Sequence, residues 1–263
     1  MDLKLKGKTA FISGSTSGIG YAVAKILLRE GMSVYINGRS QNSVDTAISQ
    51  LKNEVKDASV FGIVADFNQP RQISKIFKTL SEVNVLINNV GIYSSSSFFA
   101  TSVETWQEQF QVNVMSGVSL SKYYMKKMLH QNWGRILFIS SECAYLVPTD
   151  MISYSATKAA LHATSRGLAQ LAKGTGVTSN VVVPGSTLSA GAKFFLQEKA
   201  AAEKKSVQTV EENFFRNERS NSLLQRFATT DEVATTIAYL CSPLSSATNG
   251  TIVKVDGGSS GGI

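Results

Sequence analysis

Cysteine and histidine are nearly missing from this 263-residue chain, which has two of each. Cys143 and Cys241 are too few and too far apart for a disulfide framework or a zinc site, and two histidines without clustered partners supply no metal set. Both cysteines read as packing residues. No stretch reaches the roughly 18 uninterrupted apolar residues of a bilayer span. The opening MDLKLKGKTA lacks the apolar segment of a signal peptide, so the expected location is the cytoplasm, and Asn249-Gly250-Thr251 reads as a turn rather than a glycan acceptor. Basic side chains outnumber acidic ones 26 to 19, giving +7. The excess is scattered apart from Lys4, Lys6 and Lys8 and the pair Lys126 and Lys127, with no basic stripe interleaved with aromatics of the kind a nucleic-acid groove needs. Such a distribution suits an anionic small molecule or carrier better.

What is present begins with SGSTSGIG, Ser13 to Gly20. Its glycines fall as G-x-x-x-G-x-G, which is neither G-x-G-x-x-G nor a Walker loop, since Tyr21 and Ala22 follow where Lys and Ser or Thr would be needed. Thr16 stands where a nucleophile elbow has Ser. The flanks decide its meaning. TAFIS precedes it as a β-branched strand; Ala22, Val23, Ile26 and Leu27 follow at helical spacing, and Gly31 stops that helix. A Gly-rich turn between strand and helix lets backbone approach a phosphate at the helix N-terminus.

The same alternation continues through SVYIN, SVFGIV, NVLIN, GRILFIS, VTSNVVV and TIVKV, which predicts an α/β, doubly wound parallel sheet of seven strands in one domain, residues 1–263. The regular order breaks only at about 188–227. That segment is too long for a plain loop and reads as helical and amphipathic, with Phe194, Phe195, Leu196, Phe214 and Phe215 as its apolar contacts. Because it leaves the carboxyl end of a strand, where open sheets bind ligands, a substrate lid is expected there.

Tyr154 and Lys158 are four residues apart and share a helix face. An ammonium beside a phenol favours phenolate and suits the pair to proton transfer. GRILFIS ends at Ser140 and continues into Ser141, a hydroxyl at a strand's ligand edge, able to hydrogen-bond a substrate oxygen as charge builds on it. Gly14-x-x-x-Gly18-Ile19-Gly20, Asn88-Asn89-Val90-Gly91, Asn113, Ser141, Tyr154-x-x-x-Lys158 and Pro184-Gly185, in this order, resemble the short-chain dehydrogenase/reductase family. The match runs from Lys8 to Gly258 and includes similarity to its 3-oxoacyl-carrier reductases.

The resemblance implies a Rossmann-type fold, a nicotinamide dinucleotide, and reversible hydride transfer with a carbonyl or secondary alcohol. It makes Tyr154 the general acid or base, Lys158 the group that lowers its pKa and holds the nicotinamide ribose, Ser141 the orienter of the substrate oxygen, and Asn113 the support of a proton-relay water. The cofactor site is assigned to Gly14, Ser15, Thr16, Ser17, Gly18, Ile19, Gly20, Arg39, Asp66, Phe67, Asn89, Gly91, Tyr154, Lys158, Pro184, Gly185 and Thr187. A homodimer or homotetramer is also implied. Ser13 and Val90 stand where the family commonly has Thr and Ala; the first keeps its hydroxyl, and the second puts cofactor affinity in question. SVYINGRS carries no acid to bond a ribose 2′-OH, whereas Arg39 can pair with a 2′-phosphate, so NADP(H) is expected over NAD(H).

Two alternatives stay open. Lys126, Lys127 and Lys173 are candidates to dock an acidic carrier of 3-oxoacyl thioesters. A non-catalytic dinucleotide-binding regulator on the same fold is the other, opposed by the complete set of Asn113, Ser141, Tyr154 and Lys158. Cys143 and His162 read as packing rather than catalytic residues.

Overall fold

The computed structural model describes residues 1–261. Seven strands, β1 (Thr9–Ile12), β2 (Ser33–Gly38), β3 (Val60–Val64), β4 (Val85–Asn88), β5 (Gly134–Ile139), β6 (Val177–Pro184) and β7 (Ile252–Val255), form one sheet in the order β3-β2-β1-β4-β5-β6-β7. Every pairing is parallel. Each β-branched run of the sequence is a strand, with ends moved by no more than a residue or so.

Burial on both faces follows from the period-2 alternation of side chains. In β1, Ala10 and Ile12 pack on one side and Phe11 on the other; in β4, Val85 and Ile87 oppose Leu86; in β5, Leu137 and Ile139 oppose Ile136 and Phe138. The first side is covered by α1 (Gly18–Arg29), α2 (Gln41–Glu54) and α10 (Thr230–Cys241), the second by α3 (Pro70–Thr79), α5 (Ser116–His130) and α7 (Ile152–Leu171). A short α4 (Val103–Phe110) runs into α5 through a π-helical segment, Gln111–Met115, and a four-residue α6 (Cys143–Leu146) follows β5. The first two crossovers run outward from β1 and the chain then returns to β4 on its other side. That reversal opens a crevice at the carboxyl ends of β1 and β4.

Between β6 and α10 the chain leaves the sheet for α8 (Ala190–Glu203) and α9 (Val207–Asn217). These two helices have a small core of their own: Leu196, Ala200, Val210, Phe215 and Phe227. Thr187 pairs with Ala228 where the excursion leaves and re-enters. Among the described residues, no helix is long and apolar enough to cross a membrane.

Candidate active site

The glycine loop is pressed against the turn after β4. Gly14 has a φ of +59°, and a Cβ added there comes within 2.9 Å of Val90 Cα; one on Gly20 meets Asn89 Nδ2 at 2.6 Å and the Gly14 carbonyl at 2.8 Å. Ser13 Oγ accepts from the N–H groups of Asn89 and Val90 at 3.0 and 3.1 Å. Asn89 Nδ2 donates in turn to the carbonyls of Ser13 and Gly14 at 3.1 and 2.7 Å. From β2, Asn37 Oδ1 accepts from Gly14 N–H at 3.0 Å while its amide donates to the carbonyls of Ile63 and Ala65. So Asn37 holds the ends of β2 and β3 to the loop. Ser15 is buried too, donating to the Ile12 carbonyl at 2.7 Å and accepting from Asn37 N–H at 2.9 Å. At α1, Ser17 makes no capping bond with its side chain and the first turn has no acid. Its free N–H groups and the positive end of the helix dipole suit a phosphate, and the residues present fit a dinucleotide.

Two cavities lie over this crevice. One of about 340 Å³ is walled by Gly14, Thr16, Ser17, Arg39, Asp66 and Phe67 among others; the second, about 470 Å³, by Ile19, Ser141, Tyr154, Lys158, Pro184, Gly185 and Thr187 among others. Asn89 and Gly91 line both, so the cavities adjoin there. Arg39 is exposed on the rim of the first.

Tyr154 sits in the first turn of α7 and Lys158 one turn later, with its Nζ 5.5 Å from the Tyr154 ring centroid. Lys158 is 3% exposed and donates to the Ile139 carbonyl at 2.9 Å. Burial lowers its ammonium to about 8, which leaves it charged at neutral pH. Tyr154 departs from the expected lowering by Lys158. Burial raises the phenol above its usual range, Cys143, Tyr93 and Glu142 add to the rise, and a hydrogen bond with Ser141 opposes it. The phenol therefore keeps its proton at neutral pH.

Ser141 leaves the end of β5, its Oγ accepting from Cys143 N–H at 3.2 Å. Neighbouring Ser140 donates to the Lys158 carbonyl at 3.0 Å, so the bond between its Oγ and His162 Nε2, at 2.9 Å, has the imidazole as donor. His162 is thus part of the support beneath Lys158, and burial lowers its pKa. Asn113, in the π-helical segment, accepts from Ile92 N–H at 2.8 Å and donates to the Ile92 carbonyl and to Thr157 Oγ1 at 2.9 and 3.0 Å. A π-helical turn at a functional site is a recurrent placement; here it ties the loop after Gly91 to α7.

Ser15, Gly18, Gly20 and Asn113 line neither cavity; they hold the walls from behind. The walls also contain residues to which the sequence assigned no role: Tyr93, edge-on to Tyr154 at 5.8 Å, Ile139, Ser189 and Phe227. Only Tyr93 had a usable signal, an aromatic two residues after Gly91. Lys126 and Lys127 flank a groove with Phe77 and Tyr123, and Lys173 follows the last turn of α7. At 1.5 Å per residue the end of α7 lies about 25 Å from Tyr154, toward the amino ends of the strands, where β6 begins.

A parallel sheet with this reversal, a glycine-bearing turn at an uncapped helix N-terminus, and a Tyr–Lys pair beside a strand-end serine define an oxidoreductase-type dinucleotide fold. The chain belongs to the short-chain dehydrogenase/reductase family: residues 8–200 match the short chain dehydrogenase family. It is 41% identical over 258 residues to an uncharacterized oxidoreductase, YvaG, of Bacillus subtilis, covering 98% of each chain. A 3-oxoacyl-[acyl-carrier-protein] reductase of Aquifex aeolicus is 29% identical over 261 residues, 98% of this chain and 99% of that one. The solved structure of L-sorbose reductase from Gluconobacter frateurii, complexed with NADPH and L-sorbose, superposes with a TM-score of 0.93 at 25% identity over 100% of both chains. The chain is accordingly a dehydrogenase/reductase for alcohol and ketone groups.

Proposed function

We propose that this protein is an NADPH-dependent reductase of neutral ketones, reversible to the secondary alcohol, with Tyr154 as proton donor. The observation that carries the reading is the meeting of Ser141, Tyr154 and Lys158 in one cavity wall that adjoins the phosphate cleft. Among the described residues, Lys158 is the only charged one lining that cavity, and its ammonium is already engaged by the Ile139 carbonyl. A substrate carboxylate or phosphate therefore meets no free cation among those lining residues. Phe195, Phe214 and Phe227 give the far wall an apolar character, and the excursion that bears them acts as a lid.

Thr16, Ser17, Arg39, Asp66 and Phe67 would hold the adenosine half of the cofactor, while Gly91, Lys158, Gly185 and Thr187 would hold the nicotinamide half. When bound, the cofactor supplies the hydride. Ser141 donates a hydrogen bond to the carbonyl oxygen and fixes its position; Tyr154 gives that oxygen its phenolic proton as negative charge builds. The Lys158 ammonium offsets the charge left on Tyr154. The NADPH in the complex of the sorbose reductase and the exposed Arg39 both support the phosphorylated cofactor.

Tyr154→Phe lowers kcat by about 10²–10⁴-fold on this reading, because it removes the proton alone. NADPH affinity, followed by nicotinamide fluorescence, stays near wild type. Turnover that survives the substitution overturns the assignment. Arg39→Ala raises KM for NADPH by about 10–100-fold, the worth of a charge-assisted hydrogen bond. KM for NADH should not move; equal effects on the two cofactors defeat the 2′-phosphate role.

A further inference from the structure

Ser141 is followed by Glu142, which is 3% exposed. Its backbone N–H donates to the Pro184 carbonyl at 2.9 Å, at the start of the loop that walls the cavity. Its Oε1 accepts from Ser186 Oγ at 2.9 Å and from Arg219 Nε at 2.7 Å. Oε2 is buried without a hydrogen-bond partner. A buried carboxylate needs a charge partner, and Arg219 is the cation that reaches it.

Arg219 lies 77 residues away, just beyond α9, in the proposed lid. Its backbone N–H caps α9 on the Phe214 carbonyl at 3.1 Å, and its guanidinium lies 5.4 Å from the ring of Phe214, a cavity-wall residue. Among the described residues, this is the only side-chain hydrogen bond or ion pair from 190–219 to anything outside the 188–227 segment. The remaining polar side-chain bonds of α8 and α9 close within that segment, as Lys199 to Glu218 and Glu211 to Phe227 N–H show. One ion pair therefore joins the far wall of the cavity to the turn that presents Ser141.

We propose that the Glu142–Arg219 pair is a latch, and that both are positioning residues: it seats the lid on the catalytic turn, so that Ser141 and the Phe214 wall take their places together. The proposal rests on the lid and on the role given to Ser141 above. Because Arg219 neutralises the buried carboxylate, losing it alone leaves an unpaired charge that can unfold the protein for an unrelated reason. The informative variant is the neutral pair Glu142→Gln with Arg219→Met, made in the full chain and assayed with NADPH and the neutral diketone 1-phenyl-1,2-propanedione.

The latch predicts a KM for the diketone at least 10-fold above wild type in that double variant, with NADPH affinity within about twofold. Tryptic cleavage at Lys204–Lys205, the exposed turn between α8 and α9, should be at least fivefold faster. Arg219→Lys, which keeps the charge without the fork, should fall between the two proteins. A wild-type KM, or a wild-type cleavage rate, in the double variant overturns the latch. The cleavage readout needs no turnover, so it judges the latch even if Tyr154→Phe retains full activity and the reductase reading fails.

Discussion

Lys158 shows how a single residue exchanges stability for chemistry. Its ammonium is lowered by burial from 10.5 to about 8, a displacement worth about 3 kcal/mol against the folded state at about 1.36 kcal/mol per pH unit. The folded pKa lies below the unfolded one. Below about pH 8 both states carry the charge and the penalty is present in full; from about 8 to 10.5 the unfolded chain holds the extra proton, so stability rises with pH as the penalty is lost. Lys158→Met should therefore raise Tm at pH 7 by several degrees, at about 2–4 °C per kcal/mol for a chain of this size, while turnover collapses. The gain should shrink as melts are repeated toward pH 10; a Tm that falls at pH 7 would show that the bond to Ile139 outweighs the buried charge. The pairing of Lys158 with Tyr154 was readable from spacing alone, because residues four apart share a helix face. The state of the phenol was not, since it follows from burial, with Cys143 and Tyr93 adding to the rise, and the tertiary fold rather than the local sequence brings these about.

At the scale of elements, β-branched runs and glycine punctuation marked all seven strands, because a strand buried on both faces has little choice of residue. The joints between elements were less visible. The Ser13 hydroxyl fastens β1 to the turn after β4, and Asn37 binds the glycine loop to the ends of β2 and β3. Such bonds join residues 23 to 77 positions apart, which no local pattern encodes. The joint has a measurable tolerance. Gly20→Ala forces a Cβ to 2.6 Å from Asn89 Nδ2 and 2.8 Å from a backbone carbonyl, an overpacking of about 1–3 kcal/mol. Tm should fall by about 2–12 °C and NADPH affinity by more than about tenfold as the loop lifts. Gly167→Ala in α7 is the control. A Cβ there meets nothing within 4 Å, so the helix should gain up to about 1 kcal/mol. Equal effects of the two substitutions would remove the loop from its role.

Over the whole molecule, two bodies of unequal strength face each other across the cavity: a sheet buried on both sides, and a helical pair whose core is five residues. The sequence marked the second as helical and apolar but could not divide its phenylalanines. Adjacent aromatics on a helix point in different directions, so Phe195 and Phe214 face the cavity, Phe215 enters the small core, and Phe194 is exposed. Phe215 packs edge-on to Phe214 and Phe227 at 5.1 and 5.2 Å and is 2% exposed. Phe215→Ala costs about 3–5 kcal/mol where a core is well packed. A core this small has little more than that to lose, so the cost should fall on opening of the excursion rather than on the sheet. Hydrogen exchange should quicken by an order of magnitude or more over 190–217 and stay unchanged in β4 and β5, with Tm lowered by only a few degrees. Substrate KM should rise while NADPH affinity holds, because Phe214 and Phe227 lose their backing but the glycine turn does not. If exchange instead quickens evenly through β4 and β5, the excursion and the sheet unfold as one cooperative unit, and the apolar wall cannot move without the whole molecule.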